Sequence, residues 1–91
     1  MPRFFFDSDD GRFQVRDDEG SQLPDAIAAR DMALATLPEM AVHQRASSDR
    51  CTFTLRVRDE AGATIYTATL SLVGEWHIEV PPSLRRTPSS A

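Results

Sequence analysis

From Cys51 to Leu72 the chain alternates apolar and polar residues on both sides of one acidic, glycine-containing turn, Asp59-Glu60-Ala61-Gly62. Alternation with a period of two is the signature of a strand with one buried face, and a tight turn between two such runs makes a hairpin. If the loop leaves an even count, Val57 faces Tyr66, Leu55 faces Ala68, Phe53 faces Leu70 and Cys51 faces Leu72. All eight then point to one side. An odd loop would set Thr and Arg against the apolar row, unless a β-bulge restores the phase. The opposite row reads Thr52, Thr54, Arg56 and Arg58 facing Ser71, Thr69, Thr67 and Ile65.

The N-terminus carries a second signal of the same kind. Arg3 to Asp7 and Arg12 to Asp17 flank Asp9-Asp10-Gly11, and Asp-Gly is a strong hairpin turn because glycine accepts positive φ. A two-residue loop at Asp10-Gly11 predicts Phe6 opposite Val15, Ser8 opposite Phe13 and Phe5 opposite Arg16. Phe4, Phe6, Phe13 and Val15 then share one face, and Phe5, Arg12, Gln14 and Arg16 the other.

Between the hairpins, Leu23 to about Gln44 is alanine-rich with helical spacing. Pro24 suits a first helical turn and Asp25 the positive end of the helix dipole. Ideal phase places Leu23, Ala26, Ile27, Ala33, Leu34 and Leu37 on one side. It also sets Arg30 in that stripe, where an ion pair with Asp17 or Asp59 is expected. Pro38 predicts a kink, or a break that opens a second short helix through His43. Residues 46–49 read as a loop. Trp76-His77-Ile78-Glu79-Val80 has the pattern of a fifth short strand, stopped by Pro81-Pro82. The expected fold class is α+β, ββαββ: an antiparallel sheet of about four strands with one helix on one face. A single domain over residues 1–80 is followed by a disordered tail at 81–91.

Charge and chemistry narrow the function more by exclusion than by sign. Fourteen acids against ten bases, all of them arginine, give a net charge of −4. Nucleic acid is therefore not an expected partner, because such binding needs a basic footprint. No window approaches a membrane span and no signal peptide is recognisable, so a cytoplasmic protein without membrane contact is expected. The single cysteine, Cys51, rules out an intrachain disulfide and reads as packing. The acidic turns fail the calcium-loop pattern, since Phe6 or Val15 would fall at its first ligand position. His43 and His77 lack metal-ligand spacing, and no nucleophile elbow or phosphate loop is present. No cofactor, no metal and no catalytic residues are expected; the chain reads as a non-enzyme.

The repeated hexapeptides Val15-Arg16-Asp17-Asp18-Glu19-Gly20 and Val57-Arg58-Asp59-Glu60-Ala61-Gly62 point to shared turn chemistry. The opening Met1-Pro2-Arg3-Phe4-Phe5-Phe6-Asp7, then Gly20 with Leu23-Pro24-Asp25 and Ala28-Ala29-Arg30, then Val57-Arg58-Asp59-Glu60-Ala61-Gly62, resemble a family of short bacterial domains known as domain of unknown function 6894. The resemblance covers residues 1 to about 72. It implies a small cytoplasmic module with no established activity and no site residues to carry over. A second likeness is to small antitoxins of the partial ribonuclease-H type, which also open with a hairpin leading to a helix. Their third strand before the helix and a separate DNA-binding segment are not seen in this sequence.

What remains is a surface. Phe5, Arg12, Arg16, Arg56 and Arg58 are expected to share the outer sheet face and give a mildly acidic protein a locally basic patch. A protein-interaction or regulatory role through that face or through a sheet edge is the leading expectation. The partner would be another protein or a second copy, and the alternative is an antitoxin-like regulator that binds a partner toxin.

Overall fold

The structure is a computed structural model that describes residues 1–44 and 49–80. The expected tail at 81–91 and residues 46–48 of the expected loop lie outside the described residues. The chain runs β1 (Arg3–Asp9), β2 (Gln14–Val15), β3 (Ser21–Gln22), α1 (Ala26–Gln44), β4 (Arg50–Arg58) and β5 (Thr64–Val73). The class is α+β, with one helix packed on an open antiparallel sheet ordered β2-β1-β4-β5; β3 also pairs with β1. The two hairpins join through β1 and β4, where Phe6 meets Val57 and Ser8 meets Leu55.

The second hairpin forms in the register that its alternation predicts. Val57 pairs with Tyr66, Leu55 with Ala68, Phe53 with Leu70 and Cys51 with Leu72. Only its last rung differs: Arg58 pairs with Thr64 rather than Ile65. The loop between the paired residues is odd, and a bulge at Ile65 restores the phase. The Asp59 carboxylate explains the turn, since it accepts the N–H groups of Ala61 and Ala63 and leaves Gly62 at a φ of 88°.

The first hairpin departs from expectation by two residues. Ser8 pairs with Val15 and Asp9 with Gln14, because the Asp10 carboxylate captures the N–H groups of Arg12 and Phe13 and widens the turn to four residues. Phe13 and Val15, expected on the core face, are consequently exposed, and Phe5 pairs with Arg58 rather than Arg16. A shift by an even number keeps each strand residue on its own face, so Gln14 stays on the outer side.

A third strand before the helix, absent from the sequence reading, is present as Ser21–Gln22, paired with Phe4 and Arg3. It continues the edge that β2 begins, after an excursion over residues 16–20. Gly20 makes the return with a φ of 73°; a Cβ there would lie 2.9 Å from the Phe4 carbonyl oxygen. Residues Trp76 to Val80 do not form a strand.

The helix starts at Ala26 rather than Pro24, with Asp25 as its cap: the Asp25 carboxylate accepts the Ala28 N–H at 2.9 Å. It passes Pro38 without a break. Pro38 itself lies on the exposed side of the helix. The buried stripe is Ala29, Ala33 and Leu37, with Leu23, Met40 and Ala41 packed beside it. Ala26, Ile27 and Leu34, expected in the stripe, are exposed. Small alanines let the helix approach a sheet whose bulk comes from Phe4, Phe53, Leu55 and Val57. Arg30 is exposed as well, and its ion pair is with Asp31 at 3.1 Å, not with Asp17 or Asp59.

Candidate functional site

Among the described residues the helix packs on one face of the sheet and leaves the other open. Alternation from Phe5 puts Asp7 and Asp9 on that open face of β1; their partners in β4 are Arg58 for Phe5, Arg56 for Asp7 and Thr54 for Asp9. The outer row therefore carries acids among its arginines. Both acids follow from the i, i+2, i+4 spacing from Phe5, which is the signal that a search for basic residues passes over.

Arg58 is the structural centre of this face. Its Nε donates to Asp7 Oδ2 at 2.6 Å and one Nη donates to Asp7 Oδ1 at 3.0 Å, a two-pronged grip. The same Nη reaches the Asp17 carbonyl oxygen at 2.9 Å, and the guanidinium carbon stands 5.1 Å from the Phe5 ring centroid. Paired in this way, Arg58 holds Asp7 below the ordinary carboxylate pKa, and Asp7 holds Arg58 above the ordinary guanidinium value. Arg58 thus ties β4 to β1 and to the 16–20 excursion.

Asp17 completes the tie. Alternate N–H groups of a strand point to the same edge, so the Phe6 N–H faces outward between the rungs that Phe4 and Ser8 make with β3 and β2. Where a neighbouring strand would offer a carbonyl, Asp17 Oδ2 accepts that N–H at 3.0 Å. Its other oxygen accepts Glu19 and Gly20 N–H, and its own N–H donates to Asp7. Partial burial by itself would raise the Asp17 pKa, but the N–H donors of Gly20, Phe6 and Glu19 outweigh it and hold the carboxyl below its usual value.

Beside this cluster lies a recess of about 260 Å³, lined by Asp7, Asp9, Arg16, Thr54 and Arg56. Its two acids are already matched: Asp7 by Arg58, and Asp9 by the Gly11 N–H and the Gln14 amide. Among the described residues neither the Arg16 nor the Arg56 guanidinium makes a hydrogen bond or a close ion pair, although the charge of Arg16 adds a small share to the lowering of the Asp7 pKa. Of the five expected surface residues, the structure brings Arg16 and Arg56 together in this recess and stacks Phe5 with Arg58 next to it. Arg12 belongs elsewhere, in the wide turn, where it lines a separate hollow of about 520 Å³ with Thr52 and Leu72. Of the four arginines expected to share the outer sheet face, Arg16 and Arg56 line this recess, Arg58 pairs with Asp7 beside it and Arg12 lies in the turn. No group of three or more acids, histidines or cysteines is poised to hold a metal among the described residues. No helix among them is long and apolar enough to cross a membrane.

Residues 3–71 match the family model described as a domain of unknown function (DUF6894), and the chain belongs to that family. No curated protein and no solved structure matches it.

Proposed function

We propose that this family member is a non-catalytic protein-docking module that works through the open face of its sheet and takes an acidic side chain of a partner protein between Arg16 and Arg56. The observation behind this reading is the mismatch inside one recess: both carboxylates accept hydrogen bonds within the fold, whereas among the described residues neither guanidinium donates one, and Arg16 acts on Asp7 only through its charge. Guanidinium groups left without an internal partner favour a carboxylate from outside, which they can grip in two-pronged fashion. A net charge of −4 makes a polyanion such as nucleic acid a poor occupant, whereas a short acidic segment of a protein needs only the local field. A toxin bound by an antitoxin-like regulator would be one partner of this kind.

The test is an array of acidic and neutral peptides probed with the full-length protein and with an Arg16→Ser/Arg56→Ser double variant. Binding confined to acidic peptides, and reduced at least tenfold in the variant, supports the reading. Equal binding by the variant, or no preference for acidic peptides, overturns it. Unchanged far-UV circular dichroism of the variant shows that the fold is intact.

A further inference from the structure

The two edges of the sheet are built differently. One edge consists of β2 and β3, two residues each, separated by an excursion that carries Arg16, Asp17, Asp18 and Glu19. Short, interrupted and charged, it is a blunted edge of the kind that blocks strand addition. The other edge is β5, ten residues long, with the sequence Thr64-Ile-Tyr-Thr-Ala-Thr-Leu-Ser-Leu-Val73. It has no charge and no proline, and its bulge lies at Ile65, so residues 66–73 run regularly. No described strand pairs with its outer side. An unprotected edge of this length is a template for another strand.

We propose that β5 pairs antiparallel with β5 of a second copy, making one continuous sheet across the dimer. Symmetry restricts how this can happen. A two-fold axis that reverses strand direction stands perpendicular to the sheet, so both helices lie on the same face. Opposed residues must also share a face, so the axis passes midway between one residue and its own copy, not between the levels of two successive residues. Centred on Thr69, the register is self-complementary. On the helix face Tyr66 meets Leu72 and Ala68 meets Leu70, large against medium and small against medium. This covers Leu72, which is 46% exposed. On the outer face Thr67 meets Ser71 and Thr69 meets its own copy, hydroxyl pairs that suit exposed cross-strand positions. No like charges are opposed along β5.

This pairing uses an edge, not the recess around Arg16 and Arg56, and the two proposals fail separately. Sedimentation of the full-length protein across a range of concentrations is expected to show a monomer–dimer equilibrium. Thr69→Lys, an exposed substitution that sets two ammonium groups against each other at the axis, should weaken dimerisation at least tenfold. Thr69→Cys should form an intermolecular disulfide on mild oxidation, because directly opposed residues of an antiparallel pair have Cα atoms about 4.5–5.5 Å apart, within the roughly 4.4–6.8 Å that a disulfide spans. Thr54→Cys, on β4, should not. A monomer at every concentration overturns the proposal, and so does a dimer that tolerates Thr69→Lys and leaves Thr69→Cys uncrosslinked. The Arg16→Ser/Arg56→Ser variant should dimerise as the unmodified chain does.

Discussion

Removing the Asp17 carboxylate should cost this domain a large part of its stability, although Asp17 lies in a surface excursion. In Asp17→Ala three N–H groups lose their acceptor: Phe6, Glu19 and Gly20. The Glu19 N–H is exposed and water replaces the carboxylate there at little cost. The Phe6 and Gly20 N–H groups are partly buried. A buried donor left unsatisfied costs about 1–3 kcal/mol, and partial solvent access lowers that, so the sum is roughly 2–3 kcal/mol. For a domain of this size each kcal/mol moves Tm by about 4–8 °C, which gives a drop of roughly 10–20 °C. In Asp17→Asn one acceptor oxygen survives and the other becomes an NH₂ that confronts a donor, so about half the loss is expected. Urea unfolding followed by far-UV circular dichroism measures the stability, and amide hydrogen exchange at Phe6 locates the effect. If Asp17→Ala stays within about 0.5 kcal/mol of the unmodified protein and the Phe6 amide remains protected, the carboxylate is not replacing a strand and the reasoning fails.

Arg58→Ala should lower Tm well below that of Arg56→Ala, which touches no internal partner; Arg58→Lys should not restore it, since an ammonium cannot grip Asp7 with two prongs or span to the Asp17 carbonyl. Gly20→Ala must fit a Cβ 2.8 Å from Arg3 Cγ and 2.9 Å from the Phe4 carbonyl oxygen at positive φ, whereas Gly62→Ala meets nothing within 4 Å and bears only the φ cost. Thermal melts should therefore show Gly62→Ala losing about 1 kcal/mol and Gly20→Ala at least twice that. Asp7, Asp10 and Asp17 all have folded-state pKa values below the ordinary 3.8, so the unfolded chain binds more protons as pH falls toward those values. Stability should be nearly flat from pH 7 to about 5 and fall through the depressed pKa values below about 4, with a shallower fall in Asp17→Asn.

Elements whose face is set by strict alternation were legible in the sequence. The β4–β5 register follows from Phe53, Leu55 and Val57 against Tyr66, Ala68 and Leu70, because a one-residue slip would turn the whole row to water. The helix was legible as a helix, but its phase was not. Apolar residues lie on all its sides, so only the close approach allowed by Ala29 and Ala33 selects which of them face the sheet. The site was half legible. Arg16 and Arg56 were named and do share a recess, yet the use of Arg58 by Asp7 and Asp17 joins residues 51 and 41 positions apart in the chain. No local pattern encodes that.

By itself the sequence determined the α+β class, the second hairpin and the acidic turns, since strand period, glycine φ and aspartate turn chemistry act over a few residues. Tertiary structure decided the rest: the widened first hairpin, the third strand, the helix face, and which arginines are consumed. The first hairpin widens through a local contact, the Asp10 carboxylate taking the N–H groups of Arg12 and Phe13. The other three depend on a carboxylate or a core side chain meeting a group far along the chain, and only the assembled sheet brings them within reach.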